Sequence, residues 1–250
     1  ITFIKIYAED KLALFFLLIL ISLVFFVFIG PYFTLQNPYD LAQLSILDSL
    51  MPPMSRSFED DLFYLGTDDQ GRDLVSAIIY GLRISLFVGL LSVIIALFIG
   101  IVLGIISAYF GGFIDSIIMR IADMVLAMPS FLIALVLLSI LGRGLENVII
   151  ALVMSQWATF ARVIRSSALS EKEKDYFNSA KCLCLPQHRI IFGHLLPNCL
   201  PPIIVLSTMN LAFAITLEAS LSFLGVGLPI TEPSLGLIIS NGYEYIIVGK

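Results

Sequence analysis

From Ile84 to Tyr109 the chain runs without a single charged side chain. A transmembrane helix needs ~17–25 consecutive apolar residues, and a hydrocarbon interior offers no water to satisfy exposed peptide groups. A run this long and aliphatic therefore becomes a helix; barrel strands would be ~9–11 residues of alternating polarity. Further runs follow the same rule at Leu12–Ile29, Met124–Leu141, Leu195–Leu217 and, shorter, Asn147–Ala161 between Glu146 and Arg162. With 59% hydrophobic and 13% charged residues, against about 25% charged in soluble domains, the whole chain is written for lipid.

The expectation is an all-α fold: one polytopic transmembrane helical bundle over 1–250, with spans at about 12–30, 84–109, 122–141, 146–162 and 198–218. The first run exceeds the ~7–15-residue apolar core of a signal peptide and lacks a small-x-small cleavage site, so it reads as a retained anchor. Because the chain opens on Ile1 rather than Met, residues ahead of it are expected.

Charge orients the bundle, since cytoplasmic loops collect Lys and Arg. Lys5 and Lys11 precede the first run and Arg120 lies between the second and third. Arg162, Arg165, Lys172, Lys174, Lys181 and Arg189 surround the loop 166–197. These sides, and the N-terminus, are assigned to the cytoplasm. The segment 31–73 faces outward: it holds Asp40, Asp48, Glu59, Asp60, Asp61, Asp68, Asp69 and Asp73 against Arg56 and Arg72. A net charge of −5 gives no basic surface for nucleic acid. Cys182, Cys184 and Cys199 fall on the reducing side, and Cys-x-Cys is not zinc-ligand spacing, so they read as small packing residues.

The stretch from Ser170 to Leu196 is too polar to span and too patterned for a linker. Ser170 and Glu173 have the spacing of a capping box, which predicts a helix start there. Tyr176, Ala180 and Leu183 then share a face, flanked by Phe177 and Cys184, until Pro186 stops the helix. An amphipathic helix of this kind either lies on membrane lipid or docks on a soluble partner, with small Ser179 and Ala180 permitting close approach. Periodicity alone leaves both open.

The residues from Tyr176 to Cys184, followed by Ile191 and His194-Leu-Leu-Pro-Asn198, resemble the EAA loop of binding-protein-dependent ABC importer permeases. Cys184 stands where that family usually has glycine. Leu65–Leu74 and Tyr80–Gly89 are similar to the segment before the second span of dipeptide, oligopeptide and nickel permeases, and Glu218–Leu228 with Pro233–Gly236 resembles the same subfamily. The likeness covers nearly the whole chain from residue 12.

The resemblance implies a permease of the bacterial inner membrane that imports peptides or, alternatively, nickel. It implies a coupling helix carried by Tyr176, Phe177, Ser179, Ala180, Lys181, Leu183 and Cys184, ended by Ile191, Leu196 and Pro197. The implied partners are a second homologous permease, two ATP-binding subunits that hold ATP and Mg, and a periplasmic or lipid-anchored substrate-binding protein. It also implies a sixth span after the Pro-Ser-Leu-Gly stretch, so the C-terminus is expected to continue.

No cofactor is expected in this chain. Glu244 replaces the first glycine that a P-loop ending at Gly249-Lys250 would need. Neither Gly-x-Ser-x-Gly nor His-Glu-x-x-His occurs, and the two histidines, His188 and His194, sit in the basic loop, where hydrogen bonding outweighs metal ligation. Catalysis and a metal site are therefore not expected, and the cysteine and histidine positions favour peptide over nickel.

Polar residues within the runs are candidates for a translocation path: Glu218, Asn210 and Gln156, with Trp157 and Thr208 beside them. Each has an alternative, helix–helix hydrogen bonding or, for Glu218, a reach to the membrane interface. Gly100 and Gly104 permit close helix approach, within the subunit or between subunits. A secondary transporter working without ATPases is the competing function; its signatures, inverted repeats and helices broken at mid-membrane, are not evident, and Pro129 and Pro201-Pro202 fall near the ends of the expected spans.

Overall fold

The computed structural model describes residues 10–57 and 60–248; Lys5, Glu59, Gly249 and Lys250 lie outside the described residues, as does the side chain of Lys181. About three quarters of the described chain is helical. Among the described residues four helices are long and apolar enough to cross a membrane, and a bent pair makes a fifth crossing if counted as one span. The protein is an all-α polytopic membrane protein. Two compact units divide it: residues up to Ser85 together with those from Ile230 onward, and Leu86–Pro229.

The first unit contains helix α1, Lys11–Ile29, whose Asp10 cap accepts hydrogen bonds from the Leu12 and Ala13 amides. Between α1 and α2, Leu74–Phe110, the acidic segment is folded. A short antiparallel hairpin pairs β1, Ser55–Arg56, with β2, Leu62–Phe63. Buried Thr67 hydrogen-bonds the Asp48 carbonyl and accepts from the Met51 amide at 2.8 Å. The Asp68 carboxylate accepts from the Gln70 and Arg72 amides at 2.9 and 2.8 Å. Asp73 accepts from Ser76 N and Oγ at 2.9 and 2.6 Å, satisfying an orphan donor in the first turn of α2. The Leu65–Leu74 motif is thus a built turn that launches α2. Helix α9, Leu235–Val248, closes this unit, with the Ser234 hydroxyl accepting from the Leu237 amide at 3.1 Å.

The second unit is organised around a helix that the charge pattern ends too early. Helix α5 runs from Leu145 to Lys172, ten residues past the span expected at 146–162. Arg162 and Arg165 do not end it because each has a carboxylate partner on α3, Gly112–Ala127. The α5 residues Val148, Leu152, Ala158, Phe160, Ile164 and Ala168 are all buried. They pack against α3, α4 (Ser130–Leu141) and α8 (Leu196–Phe223). On α2, Gly100 and Gly104 lie against the same helix: a Cβ on Gly104 would come 2.7 Å from the Ala161 carbonyl and 2.9 Å from Ile164 Cβ. The glycine pair therefore serves packing inside the subunit.

The run expected as one span over 122–141 is two helices, α3 and α4, bent by 91°. Met128, forced extended by the proline that follows (φ −96°, ψ 139°), ends α3, and Pro129 precedes the first turn of α4. At about 18 Å, α4 alone falls short of a ~30 Å hydrocarbon core. Pro201 and Pro202, by contrast, lie inside α8, which extends over 196–223 rather than 198–218.

Candidate coupling site and buried polar groups

The basic loop is a compact helical hairpin. No helix starts at Ser170, because α5 continues through it and Glu173 is the C-cap. The residue that organises the turn is Glu171, whose carboxylate receives Lys174 Nζ and the Tyr176 hydroxyl, both at 2.7 Å. Burial pushes the Tyr176 phenol up to about 12, and its hydrogen bond to Glu171 adds to the rise. Helix α6 then spans Asp175–Cys182.

The face that holds α6 differs from the periodicity reading. Phe177 and Ala180 are buried inside the subunit, and Tyr176 is half-buried through Glu171. Leu183, expected beside them, lies past the helix end and is 74% exposed, while Asn178, Ser179 and Cys182 are exposed as well. The inner and outer faces are thus the Phe177/Ala180 and Ser179/Leu183 sides, a division hidden by the early end of the helix.

Cys184 adopts φ 52°, the left-handed conformation that suits glycine and costs a residue with a Cβ about 1–2 kcal/mol. Of the three cysteines only Cys199 is buried; Cys182 and Cys184 are exposed, so small-residue packing describes one of the three.

After Pro186 a single turn, α7 at Gln187–Ile190, leads into a π-helical turn at Ile191–Leu195 and then α8. Leu195 is buried, Ile191 and Leu196 half-buried, and Pro197 exposed in the first turn of α8. Pro197 lacks an N–H and would clash with a carbonyl four residues back; the widened turn ahead of it relieves that conflict. His188 is exposed, and the His194 carbonyl accepts from Asn198 Nδ2 at 2.7 Å.

The end of α5 nearest this hairpin is tied to two further helices. Arg165 forms a fork with Asp115 on α3, its Nη2 2.6 Å from Oδ2, and Asp115 also accepts from Ser107 on α2. Arg162 pairs with Asp123, also on α3. Lys172 donates to the Ala108 carbonyl at 2.6 Å and reaches that of Tyr109 at 3.4 Å, satisfying the last carbonyls of α2. Sequence reading used these cations for orientation and missed the carboxylates. Asp115 and Asp123 are eight residues apart, about two turns on one helix, and that spacing was the available signal.

Of the three path candidates, Asn210 and Glu218 lie on α8 and Gln156 on α5, which packs against it. Glu218 is completely buried and accepts from Ser222 Oγ at 2.8 Å. Ser222 Oγ in turn accepts from the Leu228 amide at 3.4 Å, linking the carboxylate to the turn after α8. Asn210 donates to the Leu206 carbonyl of its own helix at 2.9 Å. Gln156, on α5, is 2% exposed, and neither atom of its amide has a hydrogen-bond partner among the described residues. Trp157 is buried and exposed Thr208 bonds back to the Val205 carbonyl.

Residues 100–249, which include the whole hairpin, match the family described as binding-protein-dependent transport system inner membrane component. The chain belongs to this family. The permease is 36% identical to the dipeptide transport system permease protein DppC of Haemophilus influenzae, over 96% of this chain and 80% of that protein. DppC of Bacillus subtilis is 35% identical over 96% of this chain and 72% of its own length. The oligopeptide transport system permease protein OppC of the same organism is 35% identical over 94% and 74%. The EAA-like hairpin is therefore part of a transport-system membrane component, and the permease is a transport subunit.

Proposed function

We propose that this permease forms, with a homologous second permease, the path by which dipeptides or short oligopeptides cross the bacterial inner membrane. Two further subunits bind ATP with Mg and hydrolyse it, and a periplasmic or lipid-anchored binding protein delivers the substrate. The N-terminus and the α5–α6 hairpin face the cytoplasm, in keeping with the positive charge gathered around them. Peptide is preferred to nickel because the relatives named above are peptide permeases.

The observation that carries the reading is the two-sided build of α6. Its Phe177 and Ala180 are held by the permease, while Ser179 and the 74% exposed Leu183 are presented outward. A short helix fixed from behind with small and apolar groups in front is suited to a socket on an ATP-binding subunit. ATP can shift the permease between inward- and outward-facing forms only through contacts that differ between them, and α6 supplies such a contact. Gln156, unpartnered here, is the path candidate with most to gain from a polar neighbour in another conformation.

The test is purification of the tagged permease from its own membranes in mild detergent, with identification of the proteins that accompany it. P-loop ATPases are expected with the wild type and absent with Leu183→Asp. Ala180→Glu is a poorer probe, because Ala180 is buried within the permease and the variant would disturb folding. A permease that purifies without an ATPase would overturn the reading in favour of ATP-independent transport.

A further inference from the structure

Helix α3 has a hinge at each end. It is joined to α2 through Gly111 and Gly112, both left-handed at φ 66° and 56°, and a Cβ on either would meet nothing within 4 Å. One side-chain contact spans that joint: Ser107 of α2 donates to Asp115 of α3. At its other end α3 breaks by 91° into α4 at Met128-Pro129. The orientation of α3 is therefore set by what grips it along its length, and the grip comes from α5: the Arg165–Asp115 fork, extended by Ser107 of α2, and the Arg162–Asp123 pair. The two pairs differ in kind. Arg165 and Asp115 side chains are 30% and 20% exposed, whereas Arg162 and Asp123 are 51% and 61% exposed. A two-point fork fixes relative orientation as well as distance, and a partly buried pair is screened less than an open one.

Seven residues beyond Arg165, α5 ends in the turn where Glu171 holds Lys174 and Tyr176 at the base of α6. We propose that α3 is a lever and that the Arg165–Asp115 fork drives it: displacement of α6 moves the end of α5, and the fork makes α3 follow, swinging between its glycine hinge and its proline bend. Arg165 and Asp115 are positioning residues that carry the motion of the docking helix to the α3–α4 elbow. This rests on the reading of α6 as the docking helix.

The experiment uses the complete transporter in proteoliposomes, measuring peptide uptake and ATP hydrolysis together, with thermal unfolding of each variant. Arg165→Gln and Asp115→Asn are expected to keep the ATPases bound and hydrolysis within about twofold of wild type, while peptide carried per ATP falls at least tenfold, about 1.4 kcal/mol of lost coupling. Arg165→Lys keeps the charge but loses the fork and should lower that ratio about threefold. The exchange of both residues, Asp115→Arg with Arg165→Asp, should restore most of it, and Asp123→Asn, in the open pair, should change it less than twofold.

A stably folded Arg165→Lys or Arg165→Gln with the wild-type ratio would overturn the lever, as would an exchanged pair that regains stability without regaining coupling. Loss of the ATPases from the wild type would instead bring down the docking reading, so the two failures are distinguishable.

Discussion

Helices α1 and α5 show how differently two membrane helices can be used. Helix α1 is the more uniformly apolar, with Leu12, Phe15, Leu18 and Phe25 all more than half exposed and Val27 its one buried side chain. Helix α5 carries Gln156, Ser155, Arg162 and Arg165, yet 13 of its 28 residues are buried. Lipid tails are as apolar as leucine, so apolarity alone gives a helix no reason to leave them for protein. What draws α5 inward is close contact: Ala151, Ala158, Ala161 and Ala168 let neighbouring backbones approach, and glycines on α2 complete the fit.

The strongest way to break this contrast is to fill that contact. Gly104→Leu forces a side chain against the Ala161 carbonyl and should destabilise the permease by about 3 kcal/mol in a detergent unfolding assay. Next comes the polar group inside α5. Replacing the unpartnered Gln156 amide by leucine should stabilise the fold by about 1–2 kcal/mol; uptake that collapses at the same time would mark a path residue, and unchanged uptake a packing one.

Where protein packing stops, at α6, effects should shrink. Tyr176→Phe removes a hydrogen bond to Glu171 and should cost about 1 kcal/mol. The native phenol holds its proton up to about 12, above the ordinary tyrosine value of 10.0, so between those values the unfolded chain binds fewer protons than the native one. Stability from this group is fully present below pH 10.0 and is lost as the pH rises toward about 12; a pH series of unfolding midpoints should show that loss in the wild type and not in Tyr176→Phe. Cys184→Gly relieves the left-handed strain and should gain up to about 1 kcal/mol, less the extra freedom of the unfolded glycine. Smallest of all, Leu18→Ala on exposed α1 should change stability by less than about 0.5 kcal/mol. A large loss there would show that α1 is packed against protein in the assembled transporter.

The places where sequence reading fell short share a cause. Arg162 bounds the shortest apolar run and Arg165 belongs to the basic loop beyond it, but their partners, Asp123 and Asp115, lie 39 and 50 residues away, so the local pattern gives no sign that the helix continues. Ser170 and Glu173 had the spacing of a helix start, but spacing cannot tell a start from a helix that has not yet stopped. Pro129 was legible as a proline near a helix end; a 91° bend was not, because the angle depends on what the two halves pack against.

The chain's solvent was settled by the sequence: uncharged runs of this length permit helices in lipid and nothing else. The position in the basic loop where the resembled family usually has glycine was legible too: Cys184, which stands there, takes a left-handed backbone conformation. Which face of α6 is held, which carboxylate answers each arginine, and which of the path candidates is left without a partner were decided by the tertiary structure. Those properties depend on neighbours distant in sequence, and a helical repeat fixes which residues share a face without fixing what that face will meet.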